Sequence, residues 1–91
     1  MKKIIYYNRL EKIRKYLEDK YPEYIIYAAL KYVDTVENNV SYGLSPLFML
    51  SCFDPVSSKV SACYLSANIR LSKARYKDIE RMLNLNGCRI D

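Results

Sequence analysis

The last third of the chain, residues 61–87, reads SACYLSANIRLSKARYKDIERMLNLNG and dominates the fold prediction. It contains two amphipathic segments of helical spacing, residues 61–69 and 73–85, joined by a short turn. Ser61 and Ser72 precede these segments as candidate N-cap residues. The second segment is rich in Lys and Arg. The pattern predicts a helix-turn-helix, a unit that places its second helix in the DNA major groove.

A helical wheel of residues 73–85 separates an apolar side from a polar side. Tyr76, Ile79 and Leu83 share the apolar side, which we assign to the core. On the polar side, Arg81 suits a guanine edge or a phosphate, and Asp78 suits the cytosine amino group. A solvated surface helix is the alternative. The predicted DNA-contacting residues are Ser61, Asn68, Arg70, Ser72, Lys73, Arg75, Lys77, Asp78 and Arg81.

The first forty residues are predicted to be helical and to form a dimerisation region. Residues 7–20 form the first helix, with Asn8 as a candidate N-cap. A second helix begins at Pro22 and ends near residue 36, although the β-prone Tyr-Ile-Ile-Tyr segment leaves a strand as the alternative. The predicted interface comprises Tyr6, Leu10, Ile13, Leu17, Ile26, Leu30 and Val33. Two-fold pairing would place two recognition helices on half-sites about one helical turn apart.

The middle of the chain is predicted as a loop over residues 37–43 and a short helix over residues 45–53. Ser45-Pro46 would begin that helix and Asp54-Pro55 would end it. Residues 56–60 are predicted to be extended or a loop. Residues 47–53 and 60–71 could instead form a β-hairpin, but the alanine content favours helices. We therefore predict a single, mainly α domain over residues 1–91. It would be a winged-helix-like helix-turn-helix over residues 45–91, with two extra N-terminal helices and a truncated wing.

The composition gives no support to catalysis or metal binding. The chain has no histidine, two glycines and three cysteines. The spacing of Cys52, Cys63 and Cys88 fits no zinc motif, and reduced thiols are expected. We predict no catalytic residue, no metal and no cofactor. The longest apolar run, residues 24–30, is too short to cross a membrane, so we expect a cytoplasmic protein without a membrane partner.

The net charge of +5 is concentrated towards the two ends of the chain. Residues 1–34 carry eight Lys/Arg and five Asp/Glu, and residues 55–91 carry seven and three. Residues 35–54 carry two acids and no Lys or Arg. Such an excess is typical of proteins with a polyanionic partner, nucleic acid above all.

Residues 64–87, YLSANIRLSKARYKDIERMLNLNG, resemble the C-terminal winged-helix domain of FtsK-type DNA translocases over about a quarter of the chain. The resemblance rests on Leu65, the turn Ile69-Arg70-Leu71, Arg75, Ile79, Met82, Leu83 and Gly87. It implies a winged helix that reads DNA sequences. The family's base-reading positions fall here on Ala74, Asp78 and Arg81, which differ from the family's residues, so its target sequence does not carry over. Four residues follow Gly87, which leaves a truncated wing.

Together these features predict a small homodimer that binds double-stranded DNA in a sequence-specific manner. It would act as a transcriptional repressor or as a centromere-binding partition adaptor of a plasmid or virus. The alternative is a protein-binding adaptor or small inhibitor that uses the same fold without DNA.

Overall fold

The computed structural model describes residues 2–85, which form two helices and a three-stranded sheet. The order is α1 (Lys2–Lys20), β1 (Ile25–Glu37), β2 (Val40–Asp54), β3 (Lys59–Ser66) and α2 (Lys73–Met82). The sheet is antiparallel with strand order β1-β2-β3. With 35% helix and 43% strand, the chain is not mainly α, and the predicted winged-helix-like fold is wrong. Within residues 2–85, neither helix is both long enough and apolar enough to span a membrane.

The first helix confirms the prediction for residues 7–20, although α1 already begins at Lys2. Asn8 therefore lies inside the helix and does not cap it. Leu10, Ile13 and Leu17 are buried, because their spacing of three and four residues places them on one side of α1. This side packs against the sheet.

The predicted helices at residues 22–36 and 45–53 are wrong, because both segments are strands. Residues i and i+4 share a face in a helix and also in a strand, so Ile26 and Leu30 fit either structure. The β-branched and aromatic side chains of this region favour the strand. The predicted loop at residues 37–43 reduces to a turn at Asn38 and Asn39, whose φ angles of 52° and 64° are left-handed. Asparagine tolerates this conformation in tight hairpin turns.

The predicted helix at residues 61–69 is also wrong, and the hairpin alternative is correct except that its second strand ends at Ser66 and not at residue 71. β2 pairs with β3, and residues 55–58 form the turn between them. Cys63 and Leu65 point towards the core while Ala62 and Tyr64 are exposed, which is the two-residue period of a strand. A helix-turn-helix is therefore absent from residues 2–85, because its first helix is a strand. The truncated wing, residues 88–91, lies outside the described residues.

Both helices pack on the same face of the sheet, where the core lies. Phe48 and Leu50, at the centre of β2, are completely buried there. The core comprises Leu10, Ile13, Leu17, Tyr21, Tyr24, Ile26, Phe48, Leu50, Cys52, Leu65, Ala67, Ile79, Leu83 and Leu85. The opposite face, formed by alternate residues of 25–31, 47–53 and 60–66, is called the open face below. Neither α1 nor α2 covers it.

The β1–β2 hairpin extends beyond β3 as a two-stranded arm. β3 ends at Ser66, which pairs with Leu47, so residues 32–37 and 40–46 continue without a third strand. Tyr42 and Leu44 on this arm are each 67% exposed. The arm carries two acids and no Lys or Arg, so it does not extend the basic surface of the helices.

Candidate nucleic-acid interface

The fold separates the charges of the chain into a basic helical layer and a slightly acidic sheet. Residues 2–20 carry seven Lys/Arg and three Asp/Glu, and residues 67–85 carry five and two. The helical layer therefore has a net charge of +7. Residues 21–66, which form the sheet, carry two Lys/Arg and four Asp/Glu, a net charge of −2. A polyanion would be attracted to the helical side of the molecule.

The second helix presents a stripe of cations to solvent. Lys73, Lys77 and Arg81 are spaced four residues apart, so they follow one another along α2. The side chain of Arg81 is 77% exposed, and its Nη2 lies 3.5 Å from Asp78 Oδ1. Asp78 Oδ2 lies 4.0 Å from Arg75 Nη1. Such exposed pairs are weak and can give way to a phosphate. Lys73 and Lys77 are exposed and stand outside the ion pairs of the described residues.

The N-terminus of α2 confirms the prediction that Ser72 is the N-cap. The backbone N–H of Arg75 donates to Ser72 Oγ at 3.4 Å, and that of Tyr76 donates to the Ser72 carbonyl at 3.0 Å. The first turn contains no acidic residue. The partial positive charge of a helix N-terminus and its unpaired N–H groups favour anions. Arg70 and Lys73, on either side of Ser72, are both exposed.

The two helices lie side by side and run in the same direction. Tyr6 donates to Asn68 Oδ1 at 3.1 Å, and the rings of Tyr16 and Tyr76 are stacked with centroids 4.2 Å apart. Arg9 of α1 donates to the carbonyl of Ala67, in the loop before α2, at 3.2 Å. Arg9 thus brings a cation of α1 to the loop that precedes α2.

A buried carboxylate fixes α2 to α1. Glu80 is 5% exposed and accepts hydrogen bonds from the hydroxyls of Tyr16, at 3.2 Å, and of Tyr21. Lys20 Nζ lies 2.7 Å from Glu80 Oε1 and also donates to the Tyr16 hydroxyl at 3.2 Å. Four side chains from α1, α2 and the residue after α1 therefore form one polar cluster, which holds the cationic stripe in a fixed orientation.

The ionisation of this cluster follows from its contacts. Burial disfavours the charged form of Glu80, but the hydrogen bonds from Lys20, Tyr21 and Tyr16 outweigh that effect and lower its pKa. The hydrogen bond to Glu80 raises the pKa of Lys20, as does its bond to Tyr16. Both groups are therefore charged at neutral pH.

The structure brings most of the predicted DNA-contacting residues together, but not all of them. Exposed positions in the loop before α2 or on its outer side are Asn68, Arg70, Ser72, Lys73, Arg75, Lys77 and Arg81, with Asp78 half-buried among them. Ser61 is separate: it lies in β3, and its hydroxyl oxygen is buried without a hydrogen-bond partner. It does not cap a helix, and the buried hydroxyl does not reach the helical surface.

The predicted dimer interface lies mostly inside the core of a single chain. Leu10, Ile13, Leu17 and Ile26 are buried there, and Tyr6 and Leu30 pack partly against it. Val33 is exposed on β1. The buried members contact α1 or the sheet of their own chain. The segments predicted as helices form a sheet instead, and this sheet covers the side of α1 that was assigned to the dimer.

Two features of the interface were missed at the level of sequence. Arg9 was not among the predicted residues, although the basic excess of the first 34 residues was an available signal. Glu80 follows Tyr76 by four residues and precedes Leu83 by three, so helical spacing places it on the apolar side of α2 and was an available signal of its burial.

The described residues give little support to metal or thiol chemistry. Within residues 2–85, no group of three His, Cys, Asp or Glu residues could hold a metal ion. Cys52 is buried in the core, and Cys63 is half-buried beside it. Burial raises the pKa of the Cys63 thiol, which makes it less reactive. Cys88 lies outside the described residues.

Comparison with protein-family models, with curated proteins and with solved structures gave no match for this chain. Its function is therefore inferred from its own geometry.

Proposed function

We propose that this chain is a cytoplasmic protein that binds double-stranded DNA through the basic surface of its two helices. The observation that carries the proposal is the separation of charge, +7 on the helical layer against −2 on the sheet. Contacts between cations and phosphates supply most of the sequence-independent affinity of DNA-binding proteins. The arrangement of the cations along α2 adds to this support.

The length of the cationic stripe matches a dimension of DNA. Lys73 and Arg81 are eight residues apart on α2, which is about 12 Å along the helix axis. The major groove of B-DNA is also about 12 Å wide. In the proposed contact, Lys73 and Arg81 bind phosphates on the two sides of the groove. Lys77 and Asp78, between them, face the base edges.

The N-terminal end of α2 provides a second phosphate contact. Ser72, Lys73 and Arg70 lie around this end, and Arg9 of α1 contacts the carbonyl of Ala67 in the preceding loop. Backbone N–H groups at a helix N-terminus commonly bind DNA phosphates and fix the register of the protein. The proposed docking element is thus α2 with its preceding loop. Transcriptional repression and DNA partition are the roles that we propose for this binding.

The proposal is tested with a labelled random-sequence duplex, fluorescence anisotropy and a salt series. We expect the affinity to fall steeply with salt, and the slope of log affinity against log salt to decrease by about one unit in Lys73→Ala. Arg81→Ala should decrease the slope by about one unit as well, because Arg81 is assigned to a phosphate in the proposed contact. Lys31→Ala is the matched control, because it removes the same charge from the open face of the sheet.

Two results would contradict the proposal. One is the absence of binding at about 50 mM salt, where electrostatic binding is strong. The other is an equal loss of affinity in Lys73→Ala and Lys31→Ala, which would show that position does not matter. Tighter binding to a duplex RNA of the same sequence would overturn the choice of DNA.

A second candidate function is that of a protein-binding adaptor or small inhibitor. The observation that favours it is the open face, which exposes large apolar side chains instead of charges. Failure to bind any duplex, with α2 correctly folded, would favour this candidate.

A further inference from the structure

The open face of the sheet is an extended apolar surface. Ile25, Tyr27, Val60 and Tyr64 each expose more than half of their area on it. Phe53 and two other apolar side chains of β2 are partly exposed between them. A three-stranded sheet in a soluble protein usually directs polar side chains to an uncovered face. This face does the opposite.

The size of this face is at the upper end of what single chains leave uncovered. Twelve side chains on three strands occupy about 400 Å² of sheet plane, from the strand spacing and the rise per residue. Because aromatic and branched side chains rise from that plane, the accessible area is on the order of 600 Å², at the upper end for monomers. Two such faces in contact would bury about 1,200 Å², which reaches the range of specific interfaces.

The distribution of charge permits contact between two identical copies. Each chain carries a net charge of +5, so most ways of bringing two copies together bring like charges together. The open face contains one charged position, Lys31. It lies at one end of the face, where it pairs with Leu47, which in turn pairs with Ser66. The basic helices lie on the other side of the sheet. Paired open faces would separate the two helical layers by roughly 30 Å, beyond the screening length at physiological salt.

The pattern of large and small side chains is self-complementary. Across the sheet, Tyr27 is in one row with Ser51 and Ala62, and Ala29 is in the next row with Met49 and Tyr64. A two-fold axis parallel to β2 would place β1 of one copy over β3 of the other, with each row facing its own equivalent. Every tyrosine then faces an alanine: Tyr27 faces Ala62, and Tyr64 faces Ala29.

We propose that two copies of this chain associate through their open faces, about a two-fold axis parallel to β2. The product is a four-layer dimer, helices–sheet–sheet–helices, in which the contact is isologous and closed. It differs from the interface predicted at Leu10, Ile13 and Leu17, which are buried in the core of each chain. The association involves no nucleic acid and is independent of the proposed function.

The first test is analytical ultracentrifugation of the purified chain without DNA. We expect a species of about twice the 10.7 kDa chain mass at micromolar concentration. Tyr64→Glu should raise the dissociation constant at least a hundred-fold, because each dimer loses two aromatic contacts and gains two charges. Tyr7→Glu is the matched control: it adds the same charge at an exposed tyrosine of α1 and should leave the dimer intact.

A size exchange tests the geometry itself. Ala62→Tyr should weaken the dimer, because it would collide with Tyr27 of the second copy. The double variant Tyr27→Ala with Ala62→Tyr should restore it, because each row would again pair a large side chain with a small one. Circular dichroism checks that each variant is folded. A monomeric wild type at 1 mM, a dimer unaffected by Tyr64→Glu, or a double variant no better than Ala62→Tyr would each overturn the proposal.

Discussion

Replacement of Glu80 by alanine should be strongly destabilising, although Glu80 is a charged residue on an amphipathic helix. It would remove a buried acceptor from the hydroxyls of Tyr16 and Tyr21 and the counter-ion of Lys20. A hydrogen bond to a charged group contributes about 1.5–3 kcal/mol to the free energy of unfolding. The loss of the ion pair adds little, because the half-exposed Lys20 ammonium can be hydrated instead. We therefore expect Glu80→Ala to lower the free energy of unfolding by about 3 kcal/mol. For a domain of this size, this corresponds to a fall in Tm of roughly 12–24 °C.

The assay is urea unfolding followed by circular dichroism, at one protein concentration and pH 7. Asp78→Ala is the matched control, because Asp78 lies two residues away on α2 and forms only exposed pairs. We expect this control to cost less than about 1 kcal/mol. If Glu80→Ala is no more destabilising than Asp78→Ala, the polar cluster does not hold α2 and our reasoning is refuted.

The dependence on pH gives a second readout of the same cluster. The pKa of Glu80 is lowered in the folded state, so the folded protein is stabilised at pH values above the ordinary carboxyl pKa of 4.5. This contribution is lost as the pH falls through the lowered value. The difference in stability between the wild type and Glu80→Gln should therefore be constant near neutrality and shrink below about pH 4.5. A difference that is unchanged at pH 3 would contradict the assignment.

Two further predictions concern local backbone structure. Ser72→Ala should lower the free energy of unfolding by about 1 kcal/mol, and Ser72→Gly by a few tenths, because the cap to Arg75 is lost; equal and negligible losses in urea unfolding would argue against the cap. Asn39→Val should cost about 1 kcal/mol, because a β-branched residue resists the left-handed φ of 64°, whereas Asn39→Gly should not; equal thermal stability of the two variants would show that the turn differs.

The helices could be predicted from the sequence because their signals are local. Leu10, Ile13 and Leu17 recur at spacings that a strand does not accommodate on one face, and Ser72 marks the start of α2 by its own side chain. Once α2 was predicted, the helical spacing placed its Lys and Arg residues on the polar side. These parts of the prediction required no knowledge of distant contacts.

The strands were missed because their pattern is ambiguous at short range. The spacing of Ile26 and Leu30 fits a helix and a strand equally well. The alanine content around Ala62 favoured a helix, whereas this segment is a strand. These segments form strands because β2 pairs with both β1 and β3, and this pairing depends on residues distant in the sequence. The burial of Glu80 likewise depends on tyrosines about sixty residues away.

The separation of charge has a consequence for how DNA would be organised. In the proposed complex, a chain bound by its helices would turn its open face away from the duplex. The proposed dimer would turn its two basic layers in opposite directions. We expect such a pair to crosslink two duplex segments instead of reading two half-sites on one. Loops, paired filaments and compacted DNA are the products expected from that geometry. The dimer would act as a protein that bridges DNA segments.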